Sequence, residues 1–360
     1  MIKRIVEFQK TWINKDELNE VKEVLESGNL NKGLKNKILE NYISEFFGIK
    51  YVVCTSSGSS ALYLALASLE IIVKDDIIGQ VLISDNTLPI IPTIIKSFGL
   101  EPIFVDIDPK TYNMNYKDLK NKIDKKRTKA IIVSHSFGQS SDMEKIMKIA
   151  DQKGIPVIED SSSAFGAKFK YKYCGTMGKI GCFSLGQSEN ITSGQGGFLV
   201  TNDDKVMNNI VKNLNFNYTM SDVTAGITLA QLKKINIIIK KKNALAKYWN
   251  KKLKEINYIS IPYIKKGLGN THTYQSYCCV VSPSVNKDKL IDLLREYGIK
   301  CKQGTYSGCS YLENSEKYSC SSSVEMQIRS IKFPIFYKLK REEIDYIIDV
   351  LKEIRNKVFM

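Results

Sequence analysis

The chain has 360 residues, 43% hydrophobic and 25% charged, enough for one large and one small domain with a core that needs no covalent staples. Its formal net charge is +15, but the basic residues are scattered through helix-like stretches, such as Lys125 to Arg127 and Lys240 to Lys242, so charge argues a solvated surface and attraction to small anions rather than nucleic acid. Eight cysteines without a Cys-x-x-Cys pair, beside only two His, argue against a metal site or disulfide framework. They point to free thiols in a reducing cytoplasm. No signal-peptide core and no membrane-length apolar run is expected.

The first elements read as helices. Lys15–Ser27 places Leu18, Val21, Val24 and Leu25 at helical spacing, with Gly28 as its cap. A second helix is predicted over 34–47. From residue 50 strands alternate with helices: a strand over 51–54, the polar turn TSSGSS and the helix ALYLALASLE. Strands follow at 81–84, 102–105, 130–134, 156–159, 181–185 and 197–201, with helices at 91–98 and 143–152. The alternation predicts an α/β fold with a mostly parallel sheet, whose functional loops lie at the carboxyl ends of the strands. A helix over 223–253 leads to a smaller α+β unit with a strand over 277–281 and helices over 287–297 and 341–358. The expected division is a large domain over 1–240 and a small domain over 241–360.

Four segments carry candidate chemistry. In TSSGSSALYLAL, Ser57, Gly58 and Ser59 open a helix, where free N–H groups and hydroxyls can cradle an anion; a plain N-cap fits equally well. In VIEDSSSAFGA, Asp160 ends an apolar strand, where a carboxylate can face a protonated ring nitrogen or cap a helix. In CFSLGQSENITSGQGGFLV, Ser184 can offer a hydroxyl to a phosphate, and the glycines allow close backbone approach. The fourth, NYTMSDVTAGITLAQL, begins at Asn217 and runs into a helix capped at Ser221 or Asp222.

Together, in this order and spacing, these segments resemble the sugar aminotransferases of the DegT/DnrJ/EryC1/StrS family over nearly the whole chain. The segments IFVDIDPKTYNMN, SHSFGQSSDMEKIMKIADQKGIPVIEDSSSAFGA and GTMGKIGCFSLGQ add to the likeness. The resemblance implies an aspartate-aminotransferase-like (fold type I) architecture with a seven-stranded, mostly parallel sheet. It implies pyridoxal phosphate or pyridoxamine phosphate as cofactor and a nucleotide-linked sugar as substrate; composition and charge add the expectation of no metal, membrane or nucleic-acid partner. It assigns Ser57, Gly58, Ser59 and Ser184 to the cofactor phosphate and Asp160 to the pyridine nitrogen. Asn217 would reach the phosphate of the neighbouring subunit, which implies a homodimer.

The sequence departs from the family pattern at chemically loaded positions. Glu189 stands where the family has its Schiff-base lysine. Leu88 stands where an aromatic residue usually covers the cofactor ring, Ser163 where Gln or His is usual near the cofactor oxygen, and Thr219 where Arg is common. A carboxylate cannot form the covalent link. It can move a proton if burial raises its pKa. Lys179 precedes the strand rather than following it and is no obvious substitute. Sugar 3-dehydratases of the family carry His at this position and hold pyridoxamine phosphate non-covalently. Three readings stay open: lysine-free chemistry of that kind, a non-catalytic dimer partner or sugar-nucleotide binder, and an aminotransferase carrying an engineered Lys-to-Glu change. His135 and Tyr306 are further candidate substrate contacts, the latter in GTYSGCSYL, residues 304–312; His272 reads as structural.

Overall fold

Asn14 starts the first helix. Its side chain accepts the Asp16 N–H at 3.0 Å, and its own N–H donates to the Glu17 carboxylate at 2.9 Å. This reciprocal cap opens α1 (Lys15–Ser27), which Gly28 closes at φ 71°; α2 (Leu34–Phe47) follows and ends at Gly48. The computed structural model describes residues 4–71, 78–307 and 319–359.

The large sheet is built from β1 (Tyr51–Thr55), β2 (Gln80–Ser84), β3 (Glu101–Val105), β4 (Thr128–Ser134) and β5 (Val157–Asp160). A short hairpin, β6 (Lys168–Phe169) and β7 (Lys172–Tyr173), leads to β8 (Ile180–Ser184) and β9 (Gly197–Thr201). The strand order is β1-β9-β8-β5-β4-β2-β3, and only β9 runs antiparallel to its neighbours. This is the seven-stranded, mostly parallel sheet that the resemblance implied.

The helices on its two faces are α3 (Gly58–Ser68), α4 (Ile90–Ser97), α5 (Tyr116–Lys122), α6 (Met143–Lys153) and α7 (Asp204–Asn213). Strand alternation divides the core between the faces. Ile83, Ile132 and Ile158 pack with Leu62 and Ala65 of α3 and Ile91 and Ile95 of α4. Their neighbours Leu82, Ile131 and Val157 pack on the other face with Met143 and Ile146 of α6.

The helix α8 (Asp222–Leu253) joins two cores. Its Leu229, Leu232 and Ile235 pack with Phe183 and Phe198 of the large sheet. Its Leu245, Ala246, Trp249 and Leu253 pack in the small domain. The boundary expected at 240 therefore falls inside a continuous helix.

The second sheet has the order β10-β11-β13-β12, formed by β10 (Ile259–Ser260), β11 (Tyr277–Val281), β12 (Lys302–Gln303) and β13 (Ser330–Phe333). It is covered by α9 (Lys287–Glu296), α10 (Ser321–Arg329), α11 (Arg341–Glu353) and α12 (Arg355–Val358). Val6, far away in sequence, joins this core and bridges to Ile299.

Three differences from the sequence expectation matter. The final helix predicted over 341–358 breaks at Ile354 into α11 and α12. The helices α5, α7 and α10 were not anticipated. The strand β13 was missed because a lysine and a proline interrupt its short apolar run. Among the described residues no helix is long and apolar enough to cross a membrane, and seven cysteines are free thiols; Cys309 lies outside the described residues.

Candidate active site

The carboxyl ends of β1, β4, β5 and β8 converge on a cavity of about 430 Å³, closed on its far side by β12 and β13 of the small domain. Such a crevice is where an open parallel sheet offers backbone donors and loop side chains to a ligand.

At the end of β1, Ser57 caps α3. Its hydroxyl accepts the Ser60 N–H at 3.0 Å, and its carbonyl accepts the Ala61 N–H at 3.1 Å. Gly58 and Ser59 line the cavity, and their N–H groups, in the first turn of the helix, have no intrahelical acceptor. Gly58 is required sterically, because a Cβ there would lie 2.7 Å from the Ser184 Cβ. Ser184, the last residue of β8, accepts the Gly186 N–H at 3.2 Å. These residues form a concave cup of N–H and O–H donors at the positive end of a helix dipole, a binding place for an anion.

Asp160 ends β5 beside the cup. Its Oδ1 accepts the Ser162 hydroxyl at 2.7 Å and the Ser162 N–H at 3.2 Å, which fixes the carboxylate orientation. Ser163 and Leu88 also line the cavity, and Leu88 is 55% exposed there.

Glu189 lies on the loop between β8 and β9, tied back by its N–H to the Gly186 carbonyl at 3.1 Å. Its Oε2 is buried in the site and has no hydrogen-bond partner. Burial pushes its carboxyl up to about 8, with the Asp160 charge adding to the rise; the amines of Lys242 and Lys332 oppose it.

Both amines escaped the sequence reading. Lys242 projects from α8, buried, and donates to Asn190 Oδ1 at 2.7 Å and to the Gln275 carbonyl at 3.1 Å. Burial depresses it to about 7, against the pull of the Glu189 charge. The apolar stripe of α8 (Ile235, Ile238, Leu245, Trp249) continues through position 242, a helical-face signal hidden by its place in a run of lysines. Lys332 lines the cavity from β13, and burial lowers its pKa. Lys179, in contrast, pairs with Asp203 at 2.7 Å, 40% exposed on the surface.

His135 touches the cavity, but both ring nitrogens are committed. Nε2 pairs with Glu159 at 2.8 Å, and Nδ1 accepts the Ser141 N–H at 3.0 Å. Glu159 also accepts N–H bonds from Gly175, Met177 and Gly178. His135 is thus a buried brace at the cavity wall, its ring held by Glu159 and Ser141. His272 is likewise internal, its Nδ1 accepting the Tyr274 N–H at 2.9 Å.

Tyr306 does reach the cavity. Its N–H donates to Asn86 at 3.3 Å, and the neighbouring Ser307 hydroxyl donates to Asp85 at 2.7 Å. The loop after β2 thus anchors this segment, a role signalled only by the polar SDNT beside Leu88. Residues 308–312 of the expected substrate loop lie outside the described residues. Asn217 is exposed, and its carbonyl accepts the Ser56 hydroxyl at 3.0 Å, so its backbone is held beside the cup while its side chain is turned to the surface.

Residues 11–352 match the DegT/DnrJ/EryC1/StrS aminotransferase family. The chain belongs to that family. It is similar to the GDP-perosamine synthase of Escherichia coli O157:H7, with 32% identity over 340 residues, 89% of this chain and 90% of that protein. Among solved structures, the aminotransferase TlmJ from Streptoalloteichus hindustanus aligns at TM-score 0.90 and 22% identity, covering 98% of this chain and 100% of its own. The E. coli GDP-4-keto-6-deoxy-D-mannose-3-dehydratase with bound hydrated PLP aligns at TM-score 0.86 and 22% identity, covering 97% and 100%. These two likenesses establish the family's fold for this chain.

Proposed function

We propose that this enzyme carries out vitamin B6 chemistry on a nucleotide-linked sugar, using pyridoxamine phosphate held without a covalent lysine, in the manner of a sugar dehydratase. The observation that carries the reading is Glu189 Oε2: a buried carboxyl oxygen with no partner inside an otherwise furnished cofactor site. An unpaired buried acceptor is costly, and a cationic amine beside it would satisfy it.

The residues present fit the cofactor. The Gly58 and Ser59 N–H groups with the Ser184 hydroxyl would hold the phosphate, in a cup that a Cβ at position 58 would fill. Asp160, oriented by Ser162, would hold the proton on the pyridine nitrogen. Leu88 and Ser163 would flank the ring. Asn217 would complete the phosphate site of a second subunit, making the enzyme a homodimer. When bound, the cofactor supplies an electron sink that eases proton loss from the carbon bearing its amine.

Glu189 would pair with the cationic amine and take or return a proton at its Oε2. Its raised pKa suits that task, since a general base works best with a pKa near the operating pH. Lys242 would hold the Asn190 and Gln275 segments that position Glu189. The chain's likeness to a GDP-perosamine synthase and to a GDP-4-keto-6-deoxy-D-mannose-3-dehydratase supports a nucleotide-sugar substrate.

The test is a spectral and calorimetric titration of the purified protein with pyridoxamine phosphate. Saturable binding is expected. Absence of binding by this form and by pyridoxal phosphate would favour a non-catalytic subunit.

A further inference from the structure

Lys302 and Lys332 are directly opposed residues of the antiparallel pair β12–β13, so their side chains leave the sheet on the same face. Both line the active-site cavity. Like charges placed directly across two strands destabilise a sheet. Neither amine makes a hydrogen bond or ion pair among the described residues. Their neighbours are ring faces: Lys332 lies 4.9 Å from the Phe137 centroid and 5.6 Å from that of Tyr306, and Lys302 lies 4.7 Å from Phe8.

The two differ in depth. Lys302 is exposed, while Lys332 is largely covered and lies close enough to Glu189 for each charge to act on the other. A largely covered ammonium without an ion-pair partner is costly, and the ring faces recover only part of the lost hydration. The pair is therefore built at an energetic disadvantage, on the cavity wall provided by the small domain.

We propose that the Lys302–Lys332 pair is an anion anchor for the substrate, and that the sugar carries a carboxylate close to its reacting carbon: the substrate is a nucleotide-linked sugar acid. This rests on the nucleotide-sugar reading above. A compact carboxylate suits the arrangement better than a diphosphate, because the buried amine shares the interior with Glu189, where the chemistry would occur. A diphosphate, with several oxygens to solvate, suits the mouth of the cavity. Bound between the amines, the carboxylate would remove their repulsion and accept charge-assisted hydrogen bonds. The Tyr306 and Phe137 faces beside Lys332 would offer the sugar ring an apolar wall.

The test compares UDP-glucuronate with UDP-glucose by calorimetry on the protein saturated with pyridoxamine phosphate. The acid is expected to bind at least about tenfold tighter than the neutral sugar, the scale of one charge-assisted hydrogen bond. Lys332→Met should abolish that preference, the loss falling on UDP-glucuronate rather than UDP-glucose. Lys302→Met should reduce the preference in part. Without ligand, Lys332→Met should melt no lower than the unmodified protein, since the substitution removes a buried charge and a repulsion; this separates lost recognition from lost folding.

Equal affinity for the two sugars, or failure to bind UDP-glucuronate, overturns the proposal. So does an equal loss of both ligands in Lys332→Met, which would assign the amine to the diphosphate. If the cofactor titration itself fails, the same comparison on the cofactor-free protein still reads the anchor, so the two failures are distinguishable.

Discussion

Gly58 and Ser184 meet across the cup at the end of β1 and β8 so closely that a Cβ on Gly58 would lie 2.7 Å from the Ser184 Cβ. One residue opens a helix and the other closes a strand, and their approach gives the cup its size. The fit is testable because Ala is intrinsically better than Gly in a helix. Gly58→Ala should nevertheless lose cofactor affinity by more than about a hundredfold and cost about 1–3 kcal/mol from overpacking. Calorimetric titration and urea unfolding of the variant measure the two effects separately.

The brace beneath the site predicts the opposite pattern. His135→Ala leaves Glu159 buried with backbone donors but without its ring partner. A loss of about 2–4 kcal/mol of stability is expected, with cofactor affinity retained at temperatures where the variant is folded. A large affinity loss with unchanged melting would return His135 to the list of ligand contacts.

Asn217 predicts complementation between subunits. In a hybrid dimer of one Gly58→Ala and one Asn217→Ala chain, the Asn217→Ala subunit keeps its own cup and receives Asn217 from its partner. Such hybrids should bind about one cofactor per dimer at full affinity, although neither parent dimer does. If Asn217 serves its own subunit, the hybrid binds none tightly.

Much of this site was legible in the chain because its parts are local. Ser57 to Ser59, Asp160 and Ser184 each sit at a strand end, and a strand end followed by small polar residues can be read from a short window. Lys242 and Lys332 were not legible. One lies in a lysine run whose register on α8 decides which amine turns inward. The other lies on a short strand that exists only through pairing with β11 and β12. The pairing of His135 with Glu159 was not legible either, because sheet register rather than spacing along the chain brings them together. Leu82 and Ile83, like Ile131 and Ile132, pack on opposite faces, because both faces of a parallel sheet are buried.

Placing an amine at position 189 asks whether the rest of the site can hold the cofactor. Glu189→Lys, incubated with pyridoxal phosphate, should gain a visible absorbance band, and borohydride should fix the cofactor to residue 189 in peptide mass spectra. Label on surface lysines alone would mean that the cup does not present the cofactor to this loop.

The central claim is that Glu189 meets a cationic amine, and proton linkage tests it. The free carboxyl titrates at about 8 rather than at its ordinary 4.5, so at pH 7 it is mostly protonated. Because the folded value is raised, its contribution to stability is complete below about 4.5 and is lost as pH rises through about 8. Pairing with a cation stabilises the ionised form. Pyridoxamine phosphate binding should therefore release a proton at pH 7, and affinity should climb with pH until about 8. Calorimetric titration in buffers of different ionisation enthalpy counts that proton directly. The account predicts release of close to one proton by the unmodified protein, and none from this group in Glu189→Gln, with affinity at least about tenfold weaker. Equal proton release and equal affinity in the two proteins would contradict it.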